Sequence, residues 1–296
     1  MKNIIADGWS EYALLDSGNR QKLERFGSFI IARPEPQALW DTSTDIREWR
    51  SCAQAFFKQE TDKNKKQHDR GDWIKKHDMP EQWYIHYNYN NMQLRMRLRL
   101  TSFSHVGIFP EQAANWNYIY DKLTSSDDKE KTVLNLFAYT GGASLAAKAA
   151  GADVVHVDSV RQMINWAKEN MESSNLQGIR WVVEDAIKFV RREQKRGKKY
   201  NGIILDPPAY GRGPEGEKWL LEDDINEMMK ICGFLLKDND AFFILNLYSM
   251  GFSSLIASNL VAMAFGNKAD IENGELYLMD AFSKKLPLGV YARFCR

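Results

Sequence analysis

The stretch that decides the fold is residues 132–142, Thr-Val-Leu-Asn-Leu-Phe-Ala-Tyr-Thr-Gly-Gly. Its first part, through Ala138, is mostly apolar and predicts a buried strand. The two glycines predict a sharp turn into a helix over 143–150, which ends at Gly151. A buried strand that passes through a glycine turn into a helix is typical of the first unit of a parallel α/β sheet.

Strands and helices alternate through the rest of the chain. We predict further strands at 153–158, 179–184, 201–205 and 241–247. We predict helices at 159–171, 186–195, 220–236 and 253–265. Two extended runs, at 275–281 and 287–294, predict a C-terminal antiparallel hairpin. These elements indicate an α/β fold with a Rossmann-like, seven-stranded sheet that is mostly parallel and has a reversed strand at one edge.

The first third of the chain has a different pattern, in which aromatic and charged residues are mixed with short extended runs. We therefore predict three parts. Residues 1–103 form a smaller β-rich region that helps to present substrate, residues 104–131 form a linker, and residues 132–296 form the α/β domain.

Two patterns support a β-rich N-terminal region. Residues 9–15 and 26–32 predict two strands, joined by a turn at 17–19. Residues 92–100 alternate strictly between polar and apolar types, which places the arginines on one face of a strand. This face is either a solvated surface or a ladder for RNA phosphates, and its residues are Arg95, Arg97 and Arg99.

Composition excludes several classes of protein. The 296 residues include 40 basic and 39 acidic side chains, so bulk charge does not predict a grip on long nucleic acid. Apolar runs fall far short of the roughly 20 residues of a membrane helix, and the N-terminus has no secretory pattern. Three scattered cysteines fit a reducing cytoplasm, and the spacing of cysteines and histidines predicts no metal site.

The residues that follow the strands are the candidates for ligand binding, because open parallel sheets bind ligands at the carboxyl edge. Phe137 and Tyr139 replace the first two glycines of a dinucleotide fingerprint. A pyrophosphate would be crowded there, whereas adenosine with a zwitterionic tail would not. A glycine at this turn, Gly141, lets backbone N–H groups approach the ligand. Asp158, 17 residues later, can accept hydrogen bonds from ribose hydroxyls, and Ser159 can cap the following helix.

The third and fourth strands also end in carboxylates. Asp185 can accept from an adenine amine, cap the helix at Ala186, or do both. After the fourth strand, two successive prolines give the chain a stiff path that aims the carboxylate at a ligand; the segment is Asp206-Pro207-Pro208.

The segment after these prolines is rich in glycine and charge, which indicates a mobile lid over 211–219. Tyr210 offers a flat face for stacking a base. Arg212 and Lys218 are available for phosphates.

Taken together, these motifs resemble class I S-adenosylmethionine-dependent methyltransferases, and more narrowly the bacterial large-subunit ribosomal RNA methyltransferases. Residues 134–142 match the first motif of that family, and residues 206–210 match its Asp-Pro-Pro-x-aromatic motif. Residues 106–112 look like a segment that closes over the cofactor. The resemblance implies S-adenosylmethionine as cofactor, RNA as substrate, and no metal.

The resemblance also implies roles for single residues. Those that contact the cofactor are Phe109, Gln112, Asn135, Phe137, Ala138, Tyr139, Thr140, Gly141, Asp158, Ser159, Glu184, Asp185, Ala186 and Asp206. Those that flank the transferred methyl group are Asp206, Pro207, Pro208 and Tyr210. Contacts with substrate are predicted for Arg95, Arg97, Arg99, Arg212 and Lys218.

One departure bears on the chemistry. Relatives that methylate cytosine at C5 carry a cysteine nucleophile just after the fifth strand, where this chain reads Leu-Asn-Leu-Tyr-Ser-Met over 245–250. The sequence therefore favours transfer to a nitrogen. Two alternatives stay open: a methyltransferase that acts on a protein or small molecule, and a non-catalytic module that binds RNA or another partner. The oligomeric state is not predicted.

Overall fold

A five-stranded sheet occupies most of the N-terminal region in the computed structural model, which describes residues 1–5, 8–59, 70–248, 251–266 and 270–296. Its strands, in sheet order, are β1 (Tyr12–Gly18), β2 (Gln21–Phe26), β3 (Phe29–Pro34), β4 (Ala55–Gln59) and β5 (Gly71–Lys75). A short helix, α1 (Ile46–Cys52), joins β3 to β4.

The sequence predicted two strands here and missed β2, which lies between them. The turn consists of Asn19 and Arg20, shifted by one residue from the predicted 17–19, and it leads into β2 rather than into β3. The sequence did not indicate β2 because two of its buried residues, Lys22 and Glu24, are charged, and the strand therefore lacks an apolar pattern.

Next comes a separate hairpin of β6 (Trp83–Tyr89) and β7 (Met92–Leu98). The alternation predicted for 92–100 is confirmed, because Leu94, Met96 and Leu98 are buried while Arg95 is exposed. A 3-10 turn, Pro110–Gln112, then leads directly into α2 (Ala113–Thr124).

The predicted seven-stranded sheet is confirmed, with spatial order β10-β9-β8-β11-β14-β16-β15. Only β16 runs antiparallel to its neighbours β14 and β15. The strands are β8 (Thr132–Leu136), β9 (Asp153–Asp158), β10 (Ile179–Val183), β11 (Gly202–Leu205), β14 (Phe242–Leu247), β15 (Glu272–Met279) and β16 (Lys285–Cys295). Two short strands, β12 (Tyr210–Arg212) and β13 (Lys218–Leu220), form a separate hairpin.

Helices cover both faces of this sheet because its central strands are apolar on both sides: every residue of β11 and β14 is buried. The helices are α3 (Gly142–Ala149), α4 (Arg161–Ser173), α5 (Ala186–Lys195), α6 (Leu221–Leu235) and α7 (Ser254–Phe265). No helix within the described ranges has the length and apolar content that crossing a membrane requires.

One hydrophobic core crosses the boundaries predicted at residues 103 and 131. It runs from Tyr12 and Phe26 of the N-terminal sheet, through Trp116 of α2, to Leu145 of α3 and Leu288 of β16. The N-terminal region is therefore packed directly onto the α/β sheet.

The carboxyl edge of this sheet brings the predicted site together. Leu136 of β8 pairs with Val157 on one side and with Leu205 on the other. Asp158 and Asp206 each follow those partners, so they lie level at the same edge with β8 between them. Two strand spacings separate them, or about 10 Å.

Candidate active site

The turn after β8 holds its backbone in an unusual shape. Phe137, Tyr139 and Gly141 all have positive φ, at 56°, 50° and 93°. Such values are uncommon outside glycine and tend to occur where strain serves ligand binding. The backbone N–H of Tyr139 donates to Asp158 Oδ2 at 2.9 Å, and that of Ala138 donates to the Val157 carbonyl at 3.1 Å. These bonds hold the turn against the end of β9.

The glycines of this turn are also needed for packing. A Cβ on Gly142 would overlap the indole of Trp116, and one on Gly141 would lie 3.2 Å from the Ala167 side chain. The close approach is therefore between α3, α2 and α4.

Asp158 is half-buried beneath the turn. Its Oδ1 accepts from the Val160 N–H at 2.8 Å and its Oδ2 from Tyr139. Burial raises the pKa of Asp158 to about 6, although both backbone hydrogen bonds lower it. A carboxylate has about four acceptor positions, so about two are left for the hydroxyls of a ribose.

The predicted helix cap at Ser159 is wrong. The helix α4 begins at Arg161, and its cap residue, Val160, makes no side-chain capping bond. The carboxylate of Asp158 accepts from the backbone N–H of Val160, the cap residue itself, and Ser159 lies in the loop between β9 and α4.

At the end of β10 the two acidic residues differ. Asp185 caps α5, as predicted for one of its two roles, by accepting from the Lys188 N–H at 2.9 Å. Its second oxygen is not needed for the cap and suits an adenine amine. Glu184 instead forms an ion pair with Arg192 of α5, and Ala186 is the buried first residue of that helix. The charge of Glu184 is thus already matched by Arg192 within the protein.

The segment over 106–112 docks on the same edge. The ring of Phe109 lies 5.3 Å from Tyr139 and 6.3 Å from Tyr248, measured between centroids. Gln112 Oε1 accepts from the Asn246 side chain at the end of β14, at 3.1 Å. The Thr140 hydroxyl donates to the Gly107 carbonyl at 2.6 Å. The segment therefore lies where a group closing over the cofactor is expected.

Asn135 is not brought to the edge with the other predicted residues. Its buried amide donates to Ser144 Oγ at 2.9 Å, and Ser144 in turn contacts His156 Nδ1 at 3.0 Å. Burial lowers the pKa of His156 to about 3, so it is a neutral core residue. Asn135 lies beneath the turn and supports it from inside.

Asp206 follows β11 and lies opposite Asp158 across the edge. Burial raises the pKa of Asp206 to about 7. Such a carboxyl exchanges protons at neutral pH, which suits a group in a reaction site. Pro207 is buried while Pro208 is exposed, so the chain turns outward between them.

Trp219 holds this segment and was missed in the sequence. Its indole N–H donates to the Pro208 carbonyl at 2.7 Å, and its ring lies 4.8 Å from that of Phe137. It therefore links the Asp-Pro-Pro segment to the first turn. The sequence did not indicate that Trp219 is buried, because it lies in a charged, glycine-rich stretch and its strand has only three residues, which is too short for a visible pattern.

The predicted lid is a hairpin, β12–β13. Lys188 of α5 forms ion pairs with Glu215 and Glu217 in its turn. One face is buried through Trp219. The opposite face is exposed, and we call it the hairpin face; its residues are Tyr210, Arg212, Lys218 and Leu220.

The arginines of β7 are less available than the alternation suggested. Arg97 forms an ion pair with Glu169 at 2.7 Å, and the guanidinium groups of Arg97 and Arg99 lie 4.8 and 5.2 Å from the ring of Trp166 in α4. Arg95 is exposed, over the ring of Tyr84. Two of the three arginines thus fasten β7 to α4.

A buried cluster of charges lies behind the closing segment. Lys22 pairs with Glu35 at 3.0 Å, and Arg33 pairs with Glu24. Glu111 adds a further carboxyl, and burial raises its pKa to about 7. Because these residues are scattered over the N-terminal sheet and the linker, no local pattern could predict the cluster.

The hydrogen-bond acceptors at this edge fit S-adenosylmethionine. Asp158 and Asp185 present acceptors at the ends of neighbouring strands, and the turn between β8 and α3 contains no lysine or arginine that would hold a phosphate. In the ranges that the structure describes, no group of three or more histidine, cysteine or acidic side chains could hold a metal ion.

Comparison with known proteins agrees with S-adenosylmethionine as the cofactor. Residues 35–254 match the family model of S-adenosylmethionine-dependent methyltransferases. The crystal structure of an S-adenosylmethionine-dependent methyltransferase from Agrobacterium tumefaciens is 35% identical, with a TM-score of 0.90, and the match covers 99% of this chain and 93% of that one. A methyltransferase structure complexed with SAH is 19% identical, with a TM-score of 0.68 over 96% of this chain and 75% of that one, and shows the fold alone.

Curated relatives match shorter segments. Ribosomal RNA large subunit methyltransferase K/L from Shewanella frigidimarina is 33% identical over 139 residues, which is 46% of this chain and 18% of the relative. Ribosomal RNA large subunit methyltransferase I from Enterobacter sp. is 36% identical over 85 residues, or 28% of this chain and 22% of the relative. The matches thus span less than a quarter of those proteins. With the family model matching most of the chain and the site fitting its cofactor, the chain belongs to the S-adenosylmethionine-dependent methyltransferases.

Proposed function

We propose that this protein methylates RNA, with ribosomal RNA as the favoured substrate, and that the methyl group goes to a nitrogen atom. The hairpin face beside Asp206 carries this proposal. Tyr210 and Leu220 are opposed on it and are 51% and 43% exposed. An exposed aromatic ring next to the reaction edge suits stacking of a base, which contributes about 1–3 kcal/mol.

The same face carries opposed positive charges. Arg212 and Lys218 are direct cross-strand partners, and neither has a carboxylate partner among the described residues. Like charges in this arrangement destabilise a hairpin. A polyanion would relieve the repulsion, and a phosphate chain that crosses the hairpin would meet both cations while a base stacks on Tyr210.

The positions of the cysteines support transfer to nitrogen. Cys232 is buried in α6, and burial raises the pKa of its thiol to about 12. Cys295 pairs with Phe242, at the edge of the sheet opposite Asp206, and Cys52 ends α1. None is therefore suited to a covalent attack on cytosine beside Asp206. Ser249 and Met250, which end the segment where such a cysteine is expected, lie outside the described residues.

Asp206 has a direct role in this mechanism. When bound, S-adenosylmethionine supplies an electrophilic methyl group on a sulfonium. Asp206 accepts a hydrogen bond from the target nitrogen and can take its proton, since its pKa lies near 7. The stiff Pro207-Pro208 path and Trp219 hold the carboxylate in place. The protein thus acts mainly by alignment and exclusion of water.

The names of the curated relatives support RNA as the substrate class, since both are named as ribosomal RNA large subunit methyltransferases. The test is transfer of radiolabelled methyl groups from S-adenosylmethionine to ribosomal RNA from cells that lack this protein. We expect label in the RNA fraction. Label in protein or metabolite fractions, or none despite binding of S-adenosylhomocysteine, would reject RNA methylation.

The double substitution Arg212→Ala, Lys218→Ala tests the hairpin face. We expect kcat/KM for RNA to fall about tenfold and the slope of log affinity against log salt to shrink by about 1.4, which corresponds to two phosphate contacts on a single strand. Affinity for S-adenosylhomocysteine should not change. The control is Arg180→Ala, Lys230→Ala, which removes two exposed cations elsewhere. Equal effects of the two pairs would show that only net charge matters.

A further inference from the structure

A cavity of about 190 Å³ lies just beyond the end of β14, and we call it the β14 cavity. Three parts of the chain form its walls. The N-terminal region contributes Gln37, the segment after β14 contributes Tyr248 and Phe252, and the C-terminal strands contribute Glu275 and Val290. This volume is below the roughly 300–1,000 Å³ of pockets for drug-sized ligands, so the cavity suits one planar base, with either a single ring or two fused rings.

Strand register directs Glu275 toward this cavity. Leu247 of β14 is opposite Val290 of β16, and Val290 is opposite Glu275 of β15. Directly opposed residues in antiparallel strands share a face, so the three side chains stand in one row. Leu247 and Val290 are buried in the core on that face, and all three line the cavity. The Glu275 carboxylate ends the row.

This carboxylate is not used elsewhere in the part of the chain that the structure describes. The Glu275 side chain makes no ion pair or hydrogen bond with another described residue; its backbone N–H donates to the Asn3 side chain, and its carbonyl accepts from the Ile4 N–H. It is partly buried. A carboxylate held in a partly apolar cavity without a partner is costly, and a ligand that donates hydrogen bonds would offset that cost.

The β14 cavity is next to the reaction edge. Leu245 of β14 pairs with Leu205, so Asp206 is level with Asn246, and Tyr248 comes two residues later on the neighbouring strand. That offset corresponds to about 8 Å between backbones. The Tyr248 ring also contacts Phe109 of the closing segment. Tyr248 therefore stands between the cavity and the cofactor edge.

We propose that the β14 cavity receives the target base and that Glu275 selects bases with N–H donors on their Watson–Crick edge. This inference rests on the proposed function. A carboxylate accepts only, so guanine fits best: its N1–H and one hydrogen of its amine can be donated to Glu275, and the second hydrogen of the amine is left for Asp206. Adenine and cytosine offer one amine. Uracil fits worst, because its single N–H lies between two carbonyls. Tyr248 and Phe252 supply aromatic surface for the flipped ring.

The first test identifies the methylated nucleoside by mass spectrometry and compares Glu275→Gln with the matched control Glu172→Gln, which alters an exposed carboxylate on α4. The substitution keeps the shape of residue 275 and replaces one acceptor with a donor. We expect methylguanosine, and a ten- to hundredfold lower kcat/KM for RNA in Glu275→Gln alone, with unchanged Tm and unchanged affinity for S-adenosylhomocysteine. Methyluridine, or equal activity of the two variants, would overturn the proposal.

A second measurement separates this proposal from RNA methylation itself. The complex with S-adenosylhomocysteine is titrated with GMP and with UMP, and binding is followed by calorimetry. We expect GMP to bind at least tenfold more tightly than UMP, and Glu275→Gln to abolish the difference. This preference does not depend on RNA methylation: if the β14 cavity is a base pocket, GMP should bind more tightly even if the protein methylates no RNA. Equal affinities for GMP and UMP would reject the base pocket.

Discussion

At the scale of single residues, Asp206 connects the geometry of the site to its chemistry. It follows a fully buried strand and precedes two prolines, so its backbone has little freedom. Burial disfavours its charged form and raises its pKa to about 7. An aspartate whose pKa lies near 7 is a more effective acceptor of a proton at neutral pH than one at its ordinary value.

The pH dependence of catalysis follows from this shift. The deprotonated, accepting form of Asp206 becomes more abundant as pH rises through about 7, so kcat/KM should increase between pH 6 and 8. Asp206→Asn should lose this step and lower kcat by at least a hundredfold. Steady-state rates at several pH values check both points. An unchanged pH profile in the variant would assign the step to another group.

Trp219 makes two contacts whose effects can be measured separately. Its N–H holds the Pro208 carbonyl, while its ring packs on Phe137. In Trp219→Phe the ring contact is largely kept and the hydrogen bond is lost, which should cost about 1 kcal/mol of stability.

Because the lost bond fixes the Asp-Pro-Pro segment, we expect Trp219→Phe to lower kcat about tenfold with little change in affinity for S-adenosylhomocysteine. Calorimetric binding and single-turnover rates separate the two effects. A parallel loss of binding and rate would instead indicate that Trp219 mainly supports the first turn through Phe137.

At the scale of elements, the strand-end loops divide the work. In the proposed mechanism, the loops after β8, β9 and β10 provide the acceptors for the cofactor, whereas the loop after β11 and the hairpin β12–β13 face the substrate. The loop after β14 borders both, through Asn246 toward Gln112 and through Tyr248 toward the β14 cavity. One edge of one sheet therefore supplies both ligand sites.

At the scale of the whole molecule, the N-terminal sheet is fastened to the C-terminal hairpin by a buried polar network. Lys284 contacts Asp16 at 2.8 Å and Asp280 at 3.6 Å, and Ser17 donates to Asp280 at 2.8 Å. Burial opposes ionisation of Asp16, but hydrogen bonds from Lys284 and from backbone N–H groups outweigh it and lower its pKa. The network thus joins residues that are more than 260 positions apart in sequence.

Lys284→Met should expose how strongly the parts are coupled. It leaves the buried carboxylates of Asp16 and Asp280 without their cation, which should cost about 3–5 kcal/mol. Asp16 has a lowered pKa in the folded protein, so its contribution exists above its unfolded pKa near 4 and is lost as pH falls through the folded value. The difference between the two proteins should therefore shrink in acid.

Scanning calorimetry checks this prediction, with Lys285→Met as the control because Lys285 is adjacent and exposed. The shared hydrophobic core leads us to expect one transition that shifts as a whole. Two transitions, of which only the first moves in Lys284→Met, would show that residues 1–103 unfold separately from the α/β domain.

The sequence by itself determined the α/β sheet and the edge at which the candidate site residues lie. Its strands are buried on both faces, so their apolar runs are visible locally, and β9 and α5 begin and end where predicted. The carboxylates after those strands could be placed together because parallel strands end at one edge. The C-terminal antiparallel hairpin was visible as two extended runs, whereas the spatial order of the strands came from the structure alone.

Only the tertiary structure decided the rest, because it depends on contacts between residues far apart in the chain. The missed strand β2 buries charges that are matched by Glu35 and Arg33, and no local pattern reports such pairing. The same reason applies to the glycines that make room for Trp116, to Trp219 behind the Asp-Pro-Pro segment, and to the β14 cavity between three separate parts of the chain. Local periodicity specifies which elements form, whereas packing specifies what each side chain meets.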